Sequence, residues 1–184
     1  KKDINGKFKL LEISTRCAGT MCISRAKGVN LALLSVYNAL GLDVDILMNK
    51  YHLKMDRTLI SRYKLDYDYN TVYFDFDDTL IINDKIHLPS IRFLYQCKNL
   101  NKKIILITKH EKNLDLTLDK YAISPKLFDK IIQLQKNQNK VDFIHKDKSI
   151  FIDNAYQERK KVHEQIGIPV FDVDGLEVIM DWRC

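Results

Sequence analysis

Few structure-breaking residues interrupt this sequence. Its 184 residues include 6 glycines, 3 prolines and 1 tryptophan. Neither glycine nor proline occurs between Met48 and Tyr69. That absence excludes a recognisable flexible linker there and predicts that the segments on either side pack closely. No apolar run reaches the ~18 residues needed to span a bilayer. The four cysteines, Cys17, Cys22, Cys97 and Cys184, form no Cys-x-x-Cys pair. Cys97 falls on an apolar helical face, and a reduced, cytoplasmic protein is the expectation. The N-terminal stretch from Lys1 to Gly6 has no initiator methionine and no signal-peptide pattern, so a fragment or a processed chain is expected.

What is present belongs to a globular chain. Hydrophobic residues make up 46% and charged residues 29%, the balance of a protein with a buried core and a charged surface. The length suits one domain plus part of another. A net charge of +6 fits an anionic ligand such as a phosphate ester or a nucleic acid. The lysines are spread along the chain, and a solvated surface explains them equally well.

The chain is organised around Thr71-Val72-Tyr73-Phe74-Asp75-Phe76-Asp77-Asp78-Thr79-Leu80. Val72 to Phe74 read as a short buried strand. Three carboxylates follow at once, and burying them without a cation is costly. The least costly arrangement puts Asp75 and Asp77 just past the C-terminal end of the strand, in the ligand crevice of an open α/β sheet. Two carboxylates one residue apart suit a magnesium ion beside a phosphate. One could attack phosphorus while the other handles protons.

Alternation of elements continues from there. Asn83-Asp84 between apolar residues predicts a tight hairpin, and Pro89 a helix start. Lys103–Thr108 reads as a buried strand, Leu114–Tyr121 as a helix and Ile131–Leu134 as a strand. Lys140–Ile144 opens a short helix, Ser149–Asp153 is a strand and Tyr156–Ile166 a helix. Ile168–Phe171 is a last strand and Leu176–Trp182 a closing helix. The βαβα order implies a parallel sheet with helices on both faces. Three strands end in a functional group, Asp75, Thr108 and Asp153, which a parallel sheet collects on one edge.

Each residue also has a plainer reading. Asp77 and Asp78 serve as turn formers, Thr108 as a helix N-cap and Asp153 as a cap for the following helix. Lys136 competes with Lys140 as the phosphate-binding lysine. Glu158 either adds a carboxylate near Asp153 or pairs with Lys161 on its own helix.

Upstream, Phe8–Ile13 alternates as a strand. Leu31–Leu40 reads as a helix closed by Gly41, with Leu33, Leu34, Tyr37 and Leu40 as its apolar face. Arg57–Leu65 reads as another strand. The boundary between the two parts falls near Asp66–Asn70, giving residues 1–69 and 70–184.

Two resemblances build on these residues. Asp75-Phe76-Asp77-Asp78-Thr79, Thr108 after Ile-Leu-Ile, Lys140 opening a helix and Asp153 after Ile-Phe-Ile resemble the four ordered motifs of the haloacid dehalogenase (HAD) superfamily. The resemblance runs from Thr71 to the C-terminus. It implies a Rossmann-like parallel sheet and a magnesium-dependent phosphatase. Asp75 would be the nucleophile and Asp77 the general acid and base. Thr108 and Lys140 would bind phosphoryl oxygens. Asp75, the backbone carbonyl of Asp77, and Asp153 would hold the metal. Asn154 departs from a common family form with two consecutive acids. The named elements fill the stretches between Asp75, Thr108 and Lys140, so a capless, open site is expected.

Residues 1–69 resemble the C-terminal end of an ATP-grasp domain, as in the carbamoyl-phosphate synthase large subunit. The residues that carry this are Leu-Leu-Glu-Ile-Ser-Thr-Arg, Ala-Gly-Thr and Gly-Val-Asn. Glu12 and Arg16 match the family's metal and phosphate positions, while Ser14 stands where asparagine is usual. The resemblance implies an upstream ATP-grasp region as partner. Alternatives to the phosphatase are the tail of a carboxylate-amine ligase, a polynucleotide end phosphatase with Tyr and Lys from Arg62 to Tyr73 stacking bases, and a non-catalytic interaction domain.

Overall fold

The computed structural model describes residues 1–10, 12–13, 15–57 and 60–183, without the side chain of residue 57. Two short helices, α1 (Cys22–Ala26) and α2 (Leu31–Ala39), precede an antiparallel hairpin of β1 (Leu53–Arg57) and β2 (Ser61–Leu65). Next come β3 (Thr71–Phe74), a second hairpin of β4 (Ile81–Ile82) and β5 (Lys85–Ile86), and α3 (Leu88–Asn99). Then follow β6 (Lys103–Thr108), α4 (Leu114–Lys120), β7 (Lys130–Gln133) and β8 (Ser149–Ile152). The chain closes with α5 (Tyr156–Ile166), β9 (Val170–Phe171) and α6 (Leu176–Ile179).

Five of these strands form one parallel sheet in the order β7-β6-β3-β8-β9. The architecture is a Rossmann-like α/β fold with β3 at the centre. Its strands are apolar on both faces because both faces are covered. Successive side chains point to opposite sides. Val72, Phe74, Ile104, Leu106, Ile150 and Ile152 share one core with Phe93 and Leu94 of α3 and Leu176 of α6. Tyr73, Ile105, Ile107 and Phe151 share the other with Val162 of α5. Asn83 and Asp84 both take positive φ, 50° and 57°, as a two-residue hairpin turn of this twist requires.

The N-terminal third joins this body directly. Ala26, Tyr51 and Tyr63 belong to the same core as β3. Asn49, 2% exposed, donates from Nδ2 to the Val170 carbonyl at 2.7 Å and accepts the Val170 N–H at 3.1 Å. It thus pairs with β9 as a further strand would. Gly28, at φ +92°, lies under this segment, and a Cβ there would meet the Leu47 carbonyl at 3.2 Å.

Several expectations change. The stretch Phe8–Ile13 makes one bridge, Lys2 to Phe8, and its other described residues form no strand. Phe8, Leu10 and Ile13 are exposed. Alternation alone gives no partner for the backbone groups. Leu11 and Ser14 lie outside the described residues, as does Cys184. Arg57–Leu65 is not one strand: its ends lie in β1 and β2, and Thr58 and Leu59 lie outside the described residues. Asn30 caps α2, its side chain accepting the Leu33 N–H, and the helix stops before Gly41 at φ +67°. Its apolar face is not buried, with Leu33 and Leu40 exposed. α6 ends at Ile179 rather than Trp182, because Met180 turns extended. Among the described residues no helix is long and apolar enough to cross a membrane.

Candidate functional site

The register of the sheet fixes where the site lies. Phe74 is level with Leu106 and Ile152, so Asp75 and Asp153 leave adjacent strands side by side. Thr108 ends β6 on the other side of β3. The chain cannot stay in the sheet after Phe74, because Asp78 takes φ 52° and Leu80 N–H returns to the Phe76 carbonyl at 2.8 Å.

Lys140 binds the two carboxylates together. It begins a 3₁₀ turn, Lys140–Phe143, and is 4% exposed. Its Nζ lies 2.5 Å from Asp75 Oδ1 and 2.6 Å from Asp153 Oδ2. The second oxygens are also engaged. Asp153 Oδ1 accepts the Ala155 N–H at 2.7 Å, and Asp75 Oδ2 lies 3.2 Å from the Thr79 hydroxyl. Thr79 in turn accepts the Asn154 N–H at 3.0 Å. Arg159 Nη1 holds the turn after β8 by donating to the carbonyls of Asp153 and Asn154, both at 2.6 Å. Lys136, the competing lysine, pairs with Glu111 at the surface.

Burial raises the pKa of Asp75, Asp153 adds to the rise, and Lys140 opposes it. Burial likewise raises Asp153 against the pull of Lys140. On Lys140, burial acts downward, but the two carboxylates outweigh it and the ammonium is held charged. One ammonium between two buried carboxylates leaves a negative charge uncompensated.

Glu158 is paired and leaves that excess at one charge. It pairs with Lys109 at 2.7 Å rather than with Lys161, which donates to Asn139. Lys109 immediately follows β6, so the pair links the ends of β6 and α5. Glu158 Oε2 is buried without a hydrogen-bond partner. Three carboxylates, Asp75, Asp153 and Glu158, therefore face two ammoniums.

Asp77 stands apart from this buried group. Its side chain is half exposed and meets His110, whose Nδ1 lies 2.9 and 3.1 Å from its two oxygens. Both residues line a cleft of about 360 Å³ beside the β4–β5 hairpin. Thr108 is fully buried, and its oxygen accepts the His110 N–H at 3.1 Å, which leaves its own O–H to donate. His110 was not singled out in the sequence. The available signal was its place two residues beyond Thr108, on the same sheet edge.

Asp75, Asp153 and Lys140 are thus in direct contact, and Asp77 and Thr108 are joined through His110. Glu12 and Arg16 are exposed in the N-terminal segment, outside any strand. No domain is inserted between β3 and the Lys140 turn, where the chain forms the β4–β5 hairpin, α3, α4, the strands and turns. The sequence matches no known family model, and no curated protein matches it.

Among the described residues, no cluster of three or more His, Cys, Asp and Glu side chains is placed to hold a metal. The donors held together are the carboxylates of Asp75 and Asp153. This hard, oxygen-only set suits magnesium, which takes few protein ligands and keeps its waters. The negative excess and the orphaned Glu158 oxygen fit a divalent cation.

Proposed function

We propose that this chain is a magnesium-dependent phosphohydrolase of the haloacid dehalogenase type, working through an aspartyl-phosphate on Asp75. The observation that carries the reading is the Asp75–Lys140–Asp153 group at the C-terminal edge of a parallel sheet, with Thr108 ending the neighbouring strand and Asp77 two residues past Asp75. A buried carboxylate beside an ammonium is costly as structure alone, and perturbed groups of this kind gather at reactive sites.

The residues divide the work. An Asp75 oxygen attacks phosphorus in line with the leaving oxygen. Lys140, a point charge, and the free O–H of Thr108 bind phosphoryl oxygens and offset the charge that develops. Asp77, open to the cleft, protonates the leaving oxygen and then takes a proton from the water that hydrolyses the aspartyl-phosphate. Magnesium held by Asp75, Asp153 and the Asp77 carbonyl would screen the repulsion between nucleophile and phosphate. No inserted cap covers this edge, and the exposed Asp77 beside the 360 Å³ cleft marks the side from which a phosphate ester would approach.

The test is release of inorganic phosphate from a panel of phosphate esters, with magnesium, with chelator, and with Asp75→Asn. Magnesium-dependent release that disappears in Asp75→Asn is expected. Turnover that survives in Asp75→Asn would overturn the assignment of the nucleophile.

A further inference from the structure

Resting on the phosphohydrolase reading, we infer that His110 is a positioning residue for the general acid Asp77, and that it matters in proportion to how poorly the substrate's alcohol leaves. The inference starts from hydrogen-bond accounting around one ring. The Thr117 oxygen lies 2.9 Å from the Asn113 carbonyl and 3.0 Å from His110 Nε2. A neutral imidazole that donates from Nδ1 accepts at Nε2, so the Thr117 hydroxyl serves Nε2 and Nδ1–H serves Asp77, meeting both carboxyl oxygens at 2.9 and 3.1 Å. The proton of Asp77 itself then faces the cleft.

The ring is held from every side. Phe76 packs edge-on against it, with centroids 5.2 Å apart. The His110 N–H is fixed on Thr108 Oγ1 at 3.1 Å. Its carbonyl accepts from Gln133 Nε2 at 2.8 Å, and the same nitrogen holds the Lys112 carbonyl at 2.9 Å. The imidazole is only 10% exposed, whereas the Asp77 side chain is 52% exposed. An aspartate that open would sample several χ1 wells. A two-point contact to a locked ring confines its carboxyl plane and leaves the side toward the 360 Å³ cleft for the leaving group.

The step balances as follows. The Asp75 oxygen forms its bond to phosphorus, and the bond from phosphorus to the leaving oxygen breaks. The Asp77 proton passes to that oxygen to give the alcohol. Water then attacks phosphorus, gives a proton to Asp77, and releases phosphate and the Asp75 carboxylate. His110 exchanges no proton with the substrate in this scheme and acts through the orientation of Asp77. Misplacing a catalytic group by about 1 Å costs on the order of a hundredfold. An aliphatic alkoxide needs the proton as it leaves, and a nitrophenolate does not.

The experiment compares kcat and KM for glycerol 2-phosphate and p-nitrophenyl phosphate in wild type, His110→Ala, His110→Asn, Asp77→Asn and the Asp77→Asn/His110→Ala pair. In His110→Ala the ratio of alkyl to aryl kcat should fall by about tenfold or more, with the change in kcat rather than KM. His110→Asn, whose amide N–H can stand near the Nδ1 position, should recover part of it. In the Asp77→Asn background His110→Ala should add no further loss on the alkyl ester. Equal losses on both esters, or additive losses in the double variant, would overturn the inference. A readout without turnover accompanies these: the His110 ring ¹⁵N resonances should move in Asp77→Asn, and unmoved resonances would refute the contact. Failure of the phosphohydrolase reading looks different. Wild type would release phosphate from neither ester while the ring resonances still respond to Asp77→Asn, and the positioning role would fall with that reading.

Discussion

Replacing Lys140 with methionine should destabilise the metal-free protein strongly, and more so as pH rises. Methionine keeps the length and apolar stem of lysine but removes the ammonium that lies 2.5 Å from Asp75 and 2.6 Å from Asp153. Both carboxylates are buried, at 4% and 0% exposure, and each would lose its only cationic partner among the contacts seen. Breaking a buried ion pair from one side costs about 3–5 kcal/mol. In a chain of this size each kcal/mol moves Tm by about 2–4 °C, so a fall on the order of 10 °C is expected. The direction with pH follows from the carboxylates. Their folded pKa values already lie above the ordinary carboxylate value, and losing Lys140 raises them further. Such groups favour the folded state below their unfolded value, and that stability is lost as pH rises through the folded value. The deficit of Lys140→Met should therefore be largest near about pH 8 and shrink toward about pH 4. Asp75→Asn makes the opposite change, leaving one carboxylate for one ammonium, and should melt at or above wild type near about pH 8. The assay is thermal unfolding in chelator across this range. A Lys140→Met protein that melts with wild type at the upper end, or whose deficit grows as pH falls, would refute the electrostatic account.

Two further outcomes follow from groups outside the site. Asn49→Ala should cost about 2–6 kcal/mol in denaturant unfolding, because it strips both backbone partners from Val170 and each orphaned buried group costs about 1–3 kcal/mol; a loss below about 0.5 kcal/mol would mean that the Asn49 segment does not pair with β9. Alkaline unfolding should begin above about pH 9. Burial pushes the Cys97 thiol up to about 12 and raises Tyr51 and Tyr69 as well, so the stability they supply below their unfolded values is lost as pH rises toward the folded ones. A melting temperature unchanged between about pH 8 and about pH 11 would contradict that.

The C-terminal part was legible because local and long-range signals agree there. Continuous apolar strands announce a sheet covered on both faces. Asn83-Asp84 names its hairpin, and a hydroxyl or carboxylate ending an apolar strand has few places to go but the sheet edge. Residues 8–13 and the α2 face misled for one reason: periodicity reports what a segment would do with a partner, and among the described residues Phe8, Leu10, Ile13, Leu33 and Leu40 stay exposed. Arg57–Leu65 reads as one strand because no glycine, proline or asparagine lies between Arg57 and Ser61 in the sequence.

From β3 to β9 the sequence by itself determined the order of strands and helices, since 2.0 and 3.6 periodicities are properties of the chain alone. Tertiary structure decided everything that depends on which groups meet. It put Lys140 rather than Lys136 against Asp75 and Asp153, sent Glu158 to Lys109 rather than Lys161, and placed His110 against Asp77. Those choices compare contacts between residues 33 to 65 positions apart. Sequence spacing says nothing about such distances; only the register of parallel strands, closing Asp75, Thr108 and Asp153 onto one edge, brings them into contact.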